Sequence, residues 1–205
     1  MGAALDERGC AATMAFGIEA ITDGVDLIAL ASIGLGGSTA AAAISAALFG
    51  GSGADWVGAG SGAEAAMIGR KAETVDHALA LHSGHLEDPL EVLRRLGGRE
   101  FAAIAGTIIA ARKQTAVLLE GFAATAAAAV LHRANPAALD HCLLAHVAAT
   151  EPGHRQLAEK IGLTPIFDLG TSEGEGTGAA LVAGTVKAAA LIHSRMLAAD
   201  TVEIA

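Results

Sequence analysis

Tyrosine is absent, and Trp and Phe together number six in 205 residues. So thin an aromatic set argues against a platform for single-stranded nucleic acid, which stacks successive bases on aromatic rings. Cations are scarce too: 13 Lys and Arg face 22 Asp and Glu, and the net charge of −9 repels phosphate polymers and anionic headgroups. Neither nucleic acid nor a membrane surface is expected as a partner, and any anionic ligand has to be held by local donors. Cysteine is limited to Cys10 and Cys142, far apart and without a C-x-x-C. That excludes a disulfide framework or a zinc ribbon and fits a reducing cytoplasm. Residues 1–8 carry Asp6 and Glu7 with no basic run ahead of an apolar stretch, so no secretory signal is expected.

What the chain does have is apolar content, 53% against 17% charged, which excludes disorder and makes a single domain over residues 1–205 the expectation. Its 26 glycines exceed the usual share of about 7% and announce close backbone approaches. The stretch 27–54 contains no charge and is longer than the ~20 residues of a spanning helix. Its middle, Gly34-Leu35-Gly36-Gly37-Ser38-Thr39, would leave backbone groups unpaired in hydrocarbon, so the stretch reads instead as strand, turn and helix.

That unit recurs. Short apolar runs at 25–33, 116–119, 141–147 and 165–169 are each followed by Gly, Glu-Pro or Gly-rich punctuation and then by helix-favouring sequence, the signature of buried parallel strands. Helices are expected at 11–21, 38–49, 73–81, 89–96, 101–112, 123–131 and about 179–197. The predicted fold is therefore α/β: a parallel sheet flanked by helices in a Rossmann-like three-layer arrangement. The Ala- and Gly-rich helix faces bury little apolar area per residue, for which a subunit interface in a homodimer would compensate.

Three glycine clusters carry the chemistry: 34–39, Gly58-Ala59-Gly60-Ser61-Gly62 and Gly174-Glu175-Gly176-Thr177-Gly178. In a parallel sheet the loops that leave the strands gather at the carboxyl edge, where ligands bind. The first cluster is no dinucleotide fingerprint, because Thr39 stands where the last Gly belongs, and no P-loop, because no Lys follows. It suits a phosphomonoester held by the N–H groups of Gly36 to Thr39 and two hydroxyls at a helix start. Equally, the glycines can make a tight turn that Ser38 or Thr39 caps. Lys71 is the candidate charge-assisted phosphate contact, against the ordinary reading of a solvated surface Lys. Glu175, flanked by glycine on both sides, can act as a general base or can sit in the first helical turn, where the dipole favours it by about 0.3–1 kcal/mol. His146, Glu151 and His154, like the His82-x-x-His85 pair, fit no zinc spacing. Glu151-Pro152-Gly153-His154 reads as a turn opening a helix, its side chains structural or at a rim.

In sequence order these segments resemble the nicotinate-nucleotide:dimethylbenzimidazole phosphoribosyltransferases of cobamide assembly. The likeness runs through the 34–42 loop, Val57 to Gly62, Arg70-Lys71, Gly97-Gly98-Arg99-Glu100, Glu120-Gly121-Phe122, the 146–154 segment and Asp168-Leu169-Gly170 leading to Gly174 through Ala179. It implies transfer of a 5-phosphoribosyl group from nicotinate mononucleotide to a benzimidazole-type nitrogen, giving α-ribazole phosphate and nicotinate, with no metal or redox cofactor. By the same likeness Glu175 is the catalytic base. Gly34, Gly36, Gly37, Ser38, Thr39, Gly58, Gly60, Lys71, Gly174, Gly176 and Thr177 bind substrate.

The chain departs from the pattern at Ser32, where the family usually has an acid, at Gly37 for Asn, Ala59 for Arg, Glu120 for Asp and Ser172 for Arg. Family members also carry a long N-terminal part that supplies the first strand, part of a small helical domain and part of the base pocket. The alternatives are a shortened enzyme, a half completed by a partner, or a module that binds a phosphoribosyl nucleotide without turning it over.

Overall fold

The computed structural model describes residues 2–172 and 174–196. Three short strands, β1 (Leu27–Leu30), β2 (Ala116–Leu119) and β3 (Cys142–Leu144), pair in parallel in that order, with Leu30 opposite Leu119 and Leu119 opposite Leu144. The fourth run, expected as a strand at 165–169, contributes only a parallel bridge between Leu144 and Pro165. Two further amide bonds, Ile166 N–H to the Leu144 carbonyl and Phe167 N–H to that of Ala145, extend the contact. Proline at its first position has no N–H to give a ladder, which shortens the pairing.

Side chains alternate across this sheet as the period of two requires. Leu27, Leu118 and Ala145 face one helix, α9 (Thr177–Arg195), through Ala179 and Val182. Ile28, Val117, Leu119 and Leu144 point the other way into the main core. There they meet the layer formed chiefly by α2 (Gly37–Phe49), α6 (Arg99–Ala111) and α7 (Gly121–Ala134). The three-layer α/β reading holds, with the second outer layer reduced to α9. The charge-free stretch 27–54 is divided among β1, a turn, α2 and the short α3 (Gly53–Trp56), and among the described residues no helix is long and apolar enough to cross a membrane.

Helix ends follow local chemistry. Asp6 caps α1 (Glu7–Glu19) by accepting from Gly9 N–H, and Asp88 caps α5 (Pro89–Leu96), whose first residue is the proline expected there. α4 (Ala65–Leu81) starts eight residues earlier than predicted, because Ala65-Ala66-Met67-Ile68 behind the glycine cluster are themselves good helix formers. Leu197, the predicted last residue of α9, lies outside the described residues. Glycine decides one helix crossing: a Cβ on Gly17 would overlap the Ala103 carbonyl and one on Gly106 the Met14 carbonyl, so α1 and α6 touch backbone to backbone. Thr107 adds a hydrogen bond of 2.9 Å to the Gly17 carbonyl.

Candidate active site

All four connections leaving the sheet's carboxyl edge converge on one open cavity of about 470 Å³. The loop after β1 brings Ser32, Gly34, Leu35 and Gly36; the end of β2 brings Gly121 and Phe122. The loop after β3 brings Ala148 and Glu151, and the segment after the Pro165 bridge brings Ser172, Gly174 and Glu175. Gly37, Ser38 and Thr39 at the start of α2, Gly60 from the second glycine cluster and Lys71 from α4 complete the wall. Nine of the twelve predicted residues, counting Glu175, therefore meet in one place. Gly58, Gly176 and Thr177 do not line it.

On the anion side, Gly36 has φ +83°, a left-handed conformation that glycine adopts without penalty, and α2 starts directly after it. No side chain caps this helix, which removes the reading of Ser38 or Thr39 as a cap. Thr39 N–H is already bonded to the Gly36 carbonyl at 3.0 Å. The amides left over at the helix start are those of Gly37 and Ser38, so the nest is narrower than the loop sequence implies.

Lys71 is no solvated surface lysine: its side chain is 12% exposed. Its Nζ donates to Ser38 Oγ at 3.0 Å and to the Gly58 carbonyl at 2.6 Å and lies 3.8 Å from Glu151 Oε1. The ammonium is thereby fixed beside the nest, and the role of Gly58 is to hold it.

Glu175 lines the same cavity, just ahead of α9. It lies outside the first turn, because Gly176, at φ +106°, is the N-cap and the helix begins at Thr177. The acid that serves the helix dipole is Glu120, from the end of β2. Fully buried, it accepts from Gly178 N–H at 3.1 Å and Ala179 N–H at 2.5 Å and has His146 Nε2 at 3.2 Å from Oε1. The 174–179 segment is thus tied to the sheet by charge-assisted bonds while Glu175 is left exposed to the cavity. A second tie is steric. A Cβ on Gly174 would lie 2.7 Å from Gly121 Cα, so the Glu175 loop crosses the end of β2 where both chains are glycine.

Of the two roles open to His146 and His154, structural or at a rim, the structure shows the structural one: both are core residues. His154 Nδ1 accepts from Ala148 N–H at 3.2 Å, so Nε2 carries the proton and donates to Thr125 Oγ1 at 2.8 Å. That hydroxyl in turn donates to the Gly121 carbonyl. Burial first, then the charges of His146 and Arg155, lowers the His154 pKa to about 3. The ring stacks on Phe122 and pins the loop after β3 to α7. His146, Glu151 and His154 face separate partners, and among the described residues no group of three His, Cys, Asp or Glu is placed to hold a metal ion.

Glu151 opens α8 (Pro152–Lys160), as the Glu-Pro-Gly-His turn suggested, yet it is no rim residue. It is 3% exposed and lines the cavity next to Lys71. Its position beside a proline in a helix start gave no hint of this, because a long-range contact with α4 places it.

A sequence family described as phosphoribosyltransferase matches residues 1–204. The chain is 61% identical over 195 residues to the nicotinate-nucleotide--dimethylbenzimidazole phosphoribosyltransferase of Rhizobium etli and 60% identical over 194 to that of Brucella anthropi. These matches cover 95% and 94% of the chain and 57% of each relative. The crystal structure of CobT from Thermus thermophilus superposes with a TM-score of 0.83 at 38% identity, over 93% of this chain and 58% of that one. The chain thus spans less than three fifths of the length of the relatives it matches.

Proposed function

The chain belongs to the phosphoribosyltransferase family that matches residues 1–204, and from that premise we propose that it transfers the 5-phosphoribosyl group of nicotinate mononucleotide to a benzimidazole-type nitrogen. The observation that carries this reading is the cavity at the carboxyl edge of the sheet. Its about 470 Å³ is in the range of small-molecule sites, and its lining brings together Gly37 and Ser38 at the start of α2, Lys71 and Glu175. The relatives of the same name support the choice of substrates.

The chemistry asks for these groups and few others. In nicotinate mononucleotide the pyridine nitrogen is already cationic. The electron pair of the breaking C1′–N bond neutralises it, and nicotinate leaves without help from an acid. The azole nitrogen forms the new C1′–N bond from the opposite face, which gives the α configuration. The attacking ring then holds one N–H proton too many, and Glu175 is the carboxylate that takes it, a role worth about 10² to 10⁴ in rate. The 5′-phosphate changes no bond. Its role is to anchor the ribose between the amides and the base, so that binding energy is converted into orientation. Gly34, Gly36, Thr39 and Gly60 shape the anion wall, Gly58 fixes Lys71, and Gly174, Gly176 and Thr177 carry Glu175.

Glu175→Gln tests this in an assay that follows nicotinate release and α-ribazole phosphate formation. The expected result is a fall in kcat of about two to four orders of magnitude with nucleotide affinity retained; unchanged turnover removes Glu175 from the mechanism. A second reading, a partner-dependent or non-catalytic nucleotide-binding module, is favoured by Ser32 and Ser172. They stand in the cavity wall where the family has an acid and an Arg. Calorimetry separates the two: nucleotide binding without nicotinate release favours the module, and steady release eliminates it. The homodimer and the cytoplasmic location belong to the same proposal. The exposed Leu181 and Ile192 on α9, 60% and 66% accessible, support the former.

A further inference from the structure

Glu151 lines the cavity, and its burial disfavours its charged form. It is 3% exposed, and neither carboxylate oxygen meets full hydrogen-bond geometry, although the Ser38 hydroxyl, the Gly58 amide and Lys71 lie near enough to favour its charge in part. Lys71 Nζ, 3.8 Å from Oε1, acts on it by charge while two of its N–H groups go to Ser38 and Gly58. The backbone is nevertheless shaped around this acid. A Cβ on Gly58 would lie 2.6 Å from Oε2, and one on Gly60 2.9 Å from Oε1, so both glycines of the second cluster make room for it. A buried carboxylate whose donors are poorly aligned is costly to keep, and a neutral carboxyl facing an acceptor is not.

Resting on the phosphate reading above, we infer that Glu151 is a proton-coupled member of the phosphate site. It is the counter-ion of Lys71 before ligand binds. When a phosphomonoester dianion takes over Lys71, it accepts one proton from solvent and donates that O–H to a phosphate oxygen. The proton balance is complete: the carboxylate gains one solvent proton, the phosphate enters and remains a dianion, and no other bond changes. Without that proton, a carboxylate and a dianion would share one ammonium at close range, and two like charges at one site drive protonation of the weaker acid.

Burial already raises the pKa of Glu151, with Lys71, the Ser38 hydroxyl and the Gly58 amide pulling it back. The titratable groups that share its cavity or helix are Lys71 from α4, Glu175 and His154, whose ring is committed to Ala148 and Thr125. α2 and the 57–62 loop present only Ser38, Ala59, Gly60 and Ser61, none of which titrates.

The test is calorimetric titration with ribose 5-phosphate at pH 8, where the phosphomonoester is already dianionic, in two buffers of different ionisation enthalpy. The wild-type chain is expected to take up about one proton per ligand and to lose affinity about tenfold per pH unit above that point. Glu151→Gln is expected to take up none and to bind with pH-independent affinity. Binding without proton uptake, or uptake undiminished in Glu151→Gln, overturns the role of Glu151 and leaves the phosphate site standing. No binding of ribose 5-phosphate overturns the phosphate reading and this inference with it. If Glu151→Gln does not fold, the wild-type proton count and pH slope decide alone.

Discussion

Acidification should expose how the loop after β3 is held. His154 is fully buried and neutral, with Nδ1 occupied by the Ala148 N–H and Nε2–H by Thr125. Its pKa is about 3 in the folded chain, against an ordinary value of 6.5 that the unfolded chain retains. Between those values the unfolded chain binds a proton that the native state refuses, so this residue's contribution falls as pH falls through 6.5. Lowering pH from 7 to 5 removes about 2 kcal/mol, a large fraction of the 5–15 kcal/mol typical of a folded domain. Glu151 works in the opposite direction. Its raised pKa lets the native state hold the proton more tightly than the unfolded chain does, so its contribution is lost as pH rises.

Urea unfolding of the wild type and of His154→Gln at pH 5, 6 and 7 separates the terms, because every other group is common to both proteins. The variant is expected to be less stable at pH 7, having lost its place in the Ala148–Thr125 chain, yet to lose about 2 kcal/mol less on going to pH 5. Equal slopes in the two proteins would refute the assignment.

Three further outcomes follow from the same contacts. Glu120→Gln removes a buried carboxylate that accepts from Gly178 and Ala179 at the start of α9. It should cost about 1–3 kcal/mol in urea unfolding and be largely rescued by Glu120→Asp only if the shorter acid still reaches those amides. Gly174→Ala places a Cβ 2.7 Å from Gly121 Cα and should displace the Glu175 loop, lowering kcat more than it raises KM in the nicotinate-release assay. Lys71→Met should weaken ribose 5-phosphate binding by about 10- to 100-fold in calorimetry, in line with about 1.5–3 kcal/mol for a hydrogen bond to a charged group.

The strand of residues 116–119 and the helix of 89–96 are legible to the residue because their signals are local: an apolar run ended by Glu-Gly, and Asp-Pro at a helix start. The first and third glycine loops are legible together, since a parallel sheet collects its exits at one edge; the second, between α3 and α4, reaches the same cavity through Gly60. What was hidden depends on contacts between distant segments. Pro165 opens an apolar run that reads as a strand, but its missing N–H leaves only a bridge. Glu151 looks like a turn residue until α4 brings Lys71 to within 3.8 Å. Gly58 shows in sequence only a glycine of the second cluster; that its carbonyl accepts from the Lys71 ammonium and its missing side chain leaves room for Glu151 depends on the fold. The division of labour between Glu175 and Glu120 was equally invisible, because only the three-dimensional end of β2 shows which of the two acids serves the helix dipole.

One ligand has to span one cavity for all of these roles to hold, and a crystal structure of the chain soaked with nicotinate mononucleotide measures that directly. The phosphate is expected on the amides of Gly37 and Ser38 with Lys71 Nζ in hydrogen-bond contact, and the nicotinate ring directed so that the opposite face of C1′ opens toward Glu175. A phosphate bound elsewhere, or a C1′ whose free face is turned away from Glu175, would contradict it.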